Sequence, residues 1–331
     1  GTTVRVDARG IASEGSLSIV DLETGVVREV PVGLHASALA LSPDGRHIVV
    51  ANSGSDTLTV VDAASGRFVE TIWCKPKPSD LLGATPNALV FDPSGERLYV
   101  AHGTQNAVGV YEFDPDERGE SRLLGLVPVG WFPGALAHRA ADGGLAVANI
   151  KGIGPGRPRT GELAHEHNTH RHHGSVTLVP PVDAHELERL SAQVDTNMRR
   201  PAIEAALAPP RKGQRPVAIP ERIGEPSLIE HVVYVIKENR TYDQVLGDMP
   251  EGDGDPTLCI YGEVITPNQH ALAREFVLLD NTYCAGILSA DGHNWSTSAF
   301  ATDYLERSFA GWPRSYPDGM DEDDKDALAY S

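Results

Sequence analysis

Cysteine is scarce: Cys74, Cys259 and Cys284 are the only three in 331 residues. No Cys-x-x-Cys spacing occurs, which removes the redox and zinc motifs built on it. The odd count leaves at least one thiol unpaired or intermolecular. Buried thiols are expected, with a Cys259–Cys284 disulfide as the alternative. No apolar run comes near the roughly 20 residues of a membrane-spanning helix. The amino end, Gly1-Thr-Thr-Val, lacks the basic and apolar regions of a secretory signal. Positive charge is also short, with 28 Lys and Arg against 46 Asp and Glu and a formal charge of −18. Such a field opposes nucleic acid and anionic membrane surfaces as partners. A phosphate site would have to offset it with metal or with local cations, of which Lys237 and Arg240 are the nearest to the motif described below.

Present instead are 33 Gly and 24 Pro beside 40% hydrophobic residues. That balance fits a turn-rich globular half rather than disorder. The length exceeds the usual single domain, so two parts are expected, each able to bury a core.

The first half is a repeat array. Ser16-Leu-Ser-Ile-Val-Asp21 recurs as Thr57-Leu-Thr-Val-Val-Asp62, and more loosely at Ala107–Tyr111 and Ser175–Val179. A second element interleaves with it: Leu41-Ser-Pro-Asp-Gly-Arg-His-Ile-Val-Val-Ala-Asn52 matches Phe91-Asp-Pro-Ser-Gly-Glu-Arg-Leu-Tyr-Val-Ala-His102, with a weaker copy ending at Asn149. Asp44 and Ser94 lie 50 residues apart, near the period of propeller blades. Asp-Gly or Ser-Gly turns between alternating strands make hairpins, and small sheets hide their faces by stacking on their neighbours. The units resemble the YVTN repeats of YncE-like propellers. Three to four are visible, and closed propellers have about four to eight blades, so the ring is expected to begin before this chain does. The blades are assigned to residues 1–200.

One insertion, 151–174, interrupts the array with His165, His167, His170, His172 and His173. Dense histidine can bind transition metals; a solvated insertion, or one that packs on the second half, are the other readings. Asp183-Ala-His-Glu186 then has the form of a capping box, with Leu187, Leu190 and Val194 on one helical face. Residues 201–226 are proline-rich and read as an extended linker.

The remaining residues, 227–331, contain two apolar runs that end in polar groups. Val232-Val-Tyr-Val-Ile236 leads into Lys237, Glu238, Asn239 and Arg240, and Phe276-Val-Leu-Leu279 leads into Asp280 and Asn281. Such runs read as strands of a parallel sheet, whose carboxyl ends are where α/β folds bind ligands. Glu238 suits a metal and Asn239 an oxyanion; alternatively Glu238 caps the next helix. Farther on, Ser289, Asp291, His293, Asn294 and Thr297 crowd a turn around Gly292, ahead of a helix expected at Ala299–Glu306. A helix start suits a phosphate, and the bland alternative is that Asp291 or Ser296 simply caps it. The sequons at Asn239 and Asn294 fall in the same two places and are read as chance.

Glu238-Asn-Arg-Thr-Tyr-Asp243 resembles the motif that opens the phosphoesterase family of the alkaline phosphatase superfamily. Thr266-Pro-Asn-Gln-His270 through Asn281, followed by Ser289-Ala-Asp-Gly-His-Asn-Trp295, is similar to the subgroup fused behind a YncE-like propeller. The resemblance spans roughly Pro226 to Ser331. It implies a mixed fold, a partial β-propeller followed by the first part of an α/β alkaline phosphatase-like domain. It further implies a divalent metal (Zn, Mn, Mg or Ca) on Glu238, with Asp291 as a further ligand. Asn239, Arg240 and Asn294 would contact substrate phosphate, Ser289 or Asp291 would be the nucleophile, and His293 a phosphate contact or proton donor. Implied substrates are phosphate-ester small molecules or phospholipid head groups, in the periplasm or outside the cell. Later metal ligands of that family would lie beyond Ser331, so the chain is expected to be a fragment that holds only part of its metal site and is inactive on its own. The competing class is a binding or scaffold protein whose propeller takes a protein or cell-envelope partner.

Overall fold

The computed structural model describes residues 5–6, 8, 12–75, 83–115, 121–152, 174–282, 289–299 and 301–302. The five insertion histidines, Cys284 and residues 300 and 303–306 of the helix expected at Ala299–Glu306 therefore lie outside the described residues. Two compact units are present, Gly1–Ala202 with Ala285–Ser331 and Ile203–Cys284.

The first unit is built from antiparallel sheets. β1 (Arg5–Val6), β2 (Ala12–Val20) and β3 (Val27–Val32) form the first. The second runs β4 (Ala36–Leu41), β5 (His47–Asn52), β6 (Thr57–Asp62), β7 (Phe68–Trp73), and the third β8 (Pro86–Phe91), β9 (Arg97–His102), β10 (Ala107–Glu112), β11 (Arg122–Pro128). β12 (Pro133–His138), β13 (Leu145–Asn149) and β14 (Ser175–Val179) form the fourth. The expected hairpins are present, and their tips need glycine: Gly45 and Gly95 have φ of +73° and +81°, a region closed to most side chains. The repeat also shows in register. Ala36 pairs with Asn52, Pro86 with His102 and Pro133 with Asn149, each followed by a bulge.

Alternation along the strands divides the core between neighbours. Val49 and Ala51 of β5 join Val100 and Tyr111 of the third sheet in one cluster, while Val50 joins Leu17, Val30 and Val32 of the first sheet in another. Val108, Val110 and Val127 meet Leu145, Val147 and Val179 in a third. Each wholly buried Val or Leu contributes about 1.5–3 kcal/mol, so a blade loses both faces' stabilisation without its neighbours.

Polar clamps fix the spacing between sheets. Asp56, in the turn after β5, accepts the N–H groups of Ala84 and Thr85 at 2.7 and 2.9 Å, just before β8. One repeat later Asn106 accepts the Phe132 N–H at 2.9 Å. In the second and fourth sheets, the residue closing the second strand is buried and donates onward. Asn52 Nδ2 binds the Thr57 and Thr59 hydroxyls at 3.1 and 2.8 Å, and Asn149 Nδ2 binds those of Ser175 and Thr177 at 3.1 and 2.9 Å. In the third sheet His102 takes this place, bonded to Gln105 at 2.8 Å and to Tyr111 at 2.9 Å.

Helix α1 (Ala184–Asn197) starts at Asp183, whose carboxylate accepts the Glu186 N–H at 2.8 Å. It covers the edge of β11 with Leu187 and Val194. The linker expected at 201–226 is partly helical: α2 spans Arg200–Leu207. Pro201 costs no bond in a first turn, and Ala, Glu and Leu follow it.

In the second unit α3 (Tyr242–Leu246), a 3₁₀ turn (Pro256–Leu258) and α4 (Pro267–Glu275) are joined by loops. The parallel sheet expected here is not formed among the described residues. Val232 and Val233 are 83% and 86% exposed, and Phe276, Val277 and Leu279 are exposed as well. β-Propensity describes fit to a pleated, half-buried surface, and no described strand pairs with either run.

Candidate functional site

The motif residues of the second unit sit at the entry to α3. Glu238, Asn239 and Arg240 are exposed. Arg240 is fixed by its neighbours: its guanidinium lies 5.1 Å from the centre of the Tyr261 ring, Nη2 donates to the Tyr261 hydroxyl at 3.1 Å, and Nη1 donates to the Asn239 carbonyl at 2.7 Å. A guanidinium stacked on an aromatic face keeps its in-plane N–H donors directed outward. Tyr261 is itself tied to α3, because the Gln244 carbonyl accepts the N–H groups of Ile260 and Tyr261 at 3.0 and 2.8 Å. The Tyr242 hydroxyl is buried without a hydrogen-bond partner among the described residues. Burial raises its pKa, and Asp280, Asp243 and Asp253 raise it further.

A second cluster, to which the sequence reading assigned no role, supports this one. His270 is 0% exposed. Its Nε2 lies 2.8 Å from Asp248 Oδ1, and its Nδ1 lies 2.9 Å from the Thr266 carbonyl and 3.1 Å from the Thr266 hydroxyl. Carboxylate and carbonyl both accept, so the ring satisfies both by carrying two protons. Burial opposes that charge, but the Asp248 hydrogen bond, aided by the Thr266 carbonyl, outweighs it and holds the pKa above the ordinary histidine value. The same bond, with the Glu263 N–H, lowers Asp248 to about 2. The Thr266 hydroxyl donates to the Tyr261 carbonyl at 2.7 Å. A Thr and a His four residues apart at a helix start form a readable spacing; Asp248, 22 residues away, has no local signal.

Ser289, Asp291, His293 and Asn294 belong to the other unit. They do not form the expected turn. They lie on helix α5 (Ser289–Ser298), with Gly292 in its interior and Ser289 as the first helical residue. An interior Gly costs a helix only about 1 kcal/mol, which is too little to break it. The helix thus begins ten residues earlier than expected, and Ala299, the first residue of the expected helix, has a φ of +54° at its end. The His293 carbonyl accepts the hydroxyls of Ser296 and Thr297 at 3.0 and 2.7 Å. The Asp291 side chain lies outside what is described. Among the described residues no group of three or more His, Cys, Asp or Glu is placed to hold a metal ion. Cys74 and Cys259 are free thiols.

A protein-family profile described as "Lactonase, 7-bladed beta-propeller" matches residues 12–126, from β2 into β11. No curated protein matches the chain. Among solved structures, hydrazine synthase of Kuenenia stuttgartiensis is similar at 25% identity and a TM-score of 0.34, over 40% of this chain and 36% of that one. A protein described as a 6-phosphogluconolactonase from Bacteroides uniformis shares 16% identity at a TM-score of 0.33, over 43% of each chain. A functionally unknown protein from Desulfotomaculum acetoxidans shares 19% at 0.34, over 40% and 41%. The chain thus spans less than half the length of these structures. The stacked sheets of the first unit, with their repeated register and the family match, are those of a β-propeller. Among the described residues no helix is long and apolar enough to cross a membrane.

Proposed function

We propose that the chain is a hydrolase that joins β-propeller blades to a unit acting on phosphoric esters. The observation that supports this reading is Arg240: an exposed cation held by Tyr261, within a Glu238-Asn-Arg-Thr-Tyr-Asp243 sequence that resembles the opening motif of the phosphoesterases. In a chain of net charge −18, a fixed guanidinium is the group that draws in a phosphate. Asn239, beside Arg240 in the same unit, is assigned to a phosphate oxygen; Ser289, Asp291, His293 and Asn294 belong to the other unit and are given no shared step with it. The substrate is a phosphomonoester, a diester or a phospholipid head group, met in the periplasm or outside the cell. Glu238 is the described donor a divalent metal would use. One carboxylate is not a metal site, and the described residues do not complete one.

A second reading draws on the lactonase description of the family matched at 12–126. There the blades themselves hydrolyse a lactone, or bind a protein or cell-envelope ligand without catalysis. Turnover of p-nitrophenyl phosphate, bis-p-nitrophenyl phosphate and glucono-lactone, with divalent metals added, separates the readings. Phosphoester turnover that falls in Glu238→Gln, Asn239→Ala and Arg240→Gln supports the first. Turnover of the lactone alone supports the second, and unchanged phosphoester rates in all three variants remove the residue assignment.

A further inference from the structure

We propose that His270, clamped between Asp248 and Thr266, is a positioning residue whose proton governs how firmly Arg240 is held for an anionic ester. The proposal rests on the phosphoric-ester reading of Arg240. A continuous path of bonds inside one compact unit supports it. The Arg240 guanidinium leans on the Tyr261 ring and hydroxyl. The backbone of Tyr261 is held on one side by the Gln244 carbonyl at 2.8 Å and on the other by the Thr266 hydroxyl, which donates to the Tyr261 carbonyl at 2.7 Å. Thr266 in turn faces His270 through both its carbonyl and its hydroxyl, and His270 ends on Asp248 at 2.8 Å. Asp248 closes the loop by accepting the Glu263 N–H at 2.9 Å, two residues past Tyr261.

One proton decides which bonds this path can make. With both ring nitrogens protonated, His270 donates to Asp248 and to the Thr266 carbonyl, and the Thr266 hydroxyl is left for the Tyr261 carbonyl at 2.7 Å and the Gly262 carbonyl at 3.1 Å. Loss of the Nδ1 proton turns that nitrogen into an acceptor 2.9 Å from a carbonyl, a repulsive pair. The donor within reach is the Thr266 hydroxyl at 3.1 Å. If it turns to the ring, the Tyr261 carbonyl loses its partner and the platform under Arg240 loosens. The charged and titratable groups around the ring favour the protonated form over the ordinary histidine. Asp248 and Glu263 are acidic, Cys259 lies against the α3 carbonyls beside Asp248, and the cation of Arg274 is taken up by Glu263 at 2.6 Å and Glu251 at 3.3 Å. The sign follows: the platform is complete below the imidazolium pKa and weakens as pH rises through it.

The test uses the whole chain and inorganic sulfate, which remains a dianion where phosphate would titrate. Sulfate affinity is followed by the shift of the Arg240 side-chain N–H resonance, and His270 protonation by its ring C–H resonance, between about pH 5 and about pH 9. The expected result is a fall in affinity of about tenfold, the weight of one hydrogen bond, with its midpoint at the His270 titration. Asp248→Asn moves that midpoint to lower pH, and His270→Gln removes it. A wild-type affinity that is flat across the range overturns the proposal with no variant needed, as does a midpoint that Asp248→Asn leaves in place. Arg240→Gln is the control for the parent reading. If sulfate binding survives it, the anion site itself is misassigned; if the variant loses binding while the wild-type affinity shows no His270-linked inflection, only the positioning role falls.

Discussion

Single residues of the first unit carry packing constraints that repeat from blade to blade. A Cβ on Gly33 would lie 2.7 Å from Asn52 Cγ, and one on Gly130 would lie 2.6 Å from Asn149 Cγ. Neither asparagine can yield without losing its bonds to two hydroxyls. Gly33→Ala is therefore expected to cost about 1–3 kcal/mol, measured as a lower denaturant midpoint at unchanged slope. His102 occupies the same place one blade later and is neutral: burial drives its pKa down to about 4. The unfolded chain protonates first, near the ordinary value of about 6.5. Stability is thus whole above that value, declines as pH falls from it, and levels off below about 4, a total on the order of 3 kcal/mol. Replacement of His102 by Asn, the residue its two counterparts use, should flatten that acid limb, and an unflattened limb places the titration elsewhere. The strands that follow Asn52, His102 and Asn149 were visible as repeats, with Tyr111 closing a looser copy; the bonds between them were not, because each joins two paired strands.

At the scale of elements, hairpins and caps were legible and edges were not. Asp-Gly and Ser-Gly tips set each first hairpin, and Asp183 caps α1 as its spacing indicated. What α1 does is a tertiary matter. It covers the outer strand of the third sheet, where the Ser191 hydroxyl accepts the Leu126 N–H at 2.9 Å and donates to the Leu187 carbonyl at 2.7 Å. A helix side chain here replaces the next strand's backbone and blunts an edge. Ser191→Ala leaves the Leu126 N–H without that partner and is expected to destabilise the first unit by about 1–3 kcal/mol, with faster amide exchange at Leu126. Unchanged exchange there would mean that water replaces the hydroxyl. The opposite case is Val232–Ile236, whose composition reads as a strand and whose five side chains are exposed. Composition states a preference, and pairing has to come from elsewhere.

For the whole molecule, the two units predict two unfolding events. Calorimetry should resolve a larger transition, sensitive to Gly33→Ala, and a smaller one, sensitive to Asp248→Asn. The second carries a pH signature from both ends of the ion pair. The depressed Asp248 contributes stability that is present above the unfolded carboxylate range and lost as pH falls toward about 2. The raised His270 contributes stability that is present below the unfolded histidine value and lost as pH rises through the folded one. The smaller transition should therefore be most stable in the mildly acidic range, and Asp248→Asn should remove both limbs. A single transition shifted equally by both substitutions would show that the units unfold together.

The blades were written in the chain itself, because each is made by contacts over a few residues: alternation, a glycine at the tip, and a period near 50. Arg240 and its neighbours could likewise be picked out by residue type. Their setting was decided in three dimensions, since Tyr261 lies 21 residues from Arg240 and Asp248 lies 22 from His270. Local pattern fixes which groups are available, but the partner that orients or charges them is brought in by loops, and loop closure leaves no periodic trace in a sequence.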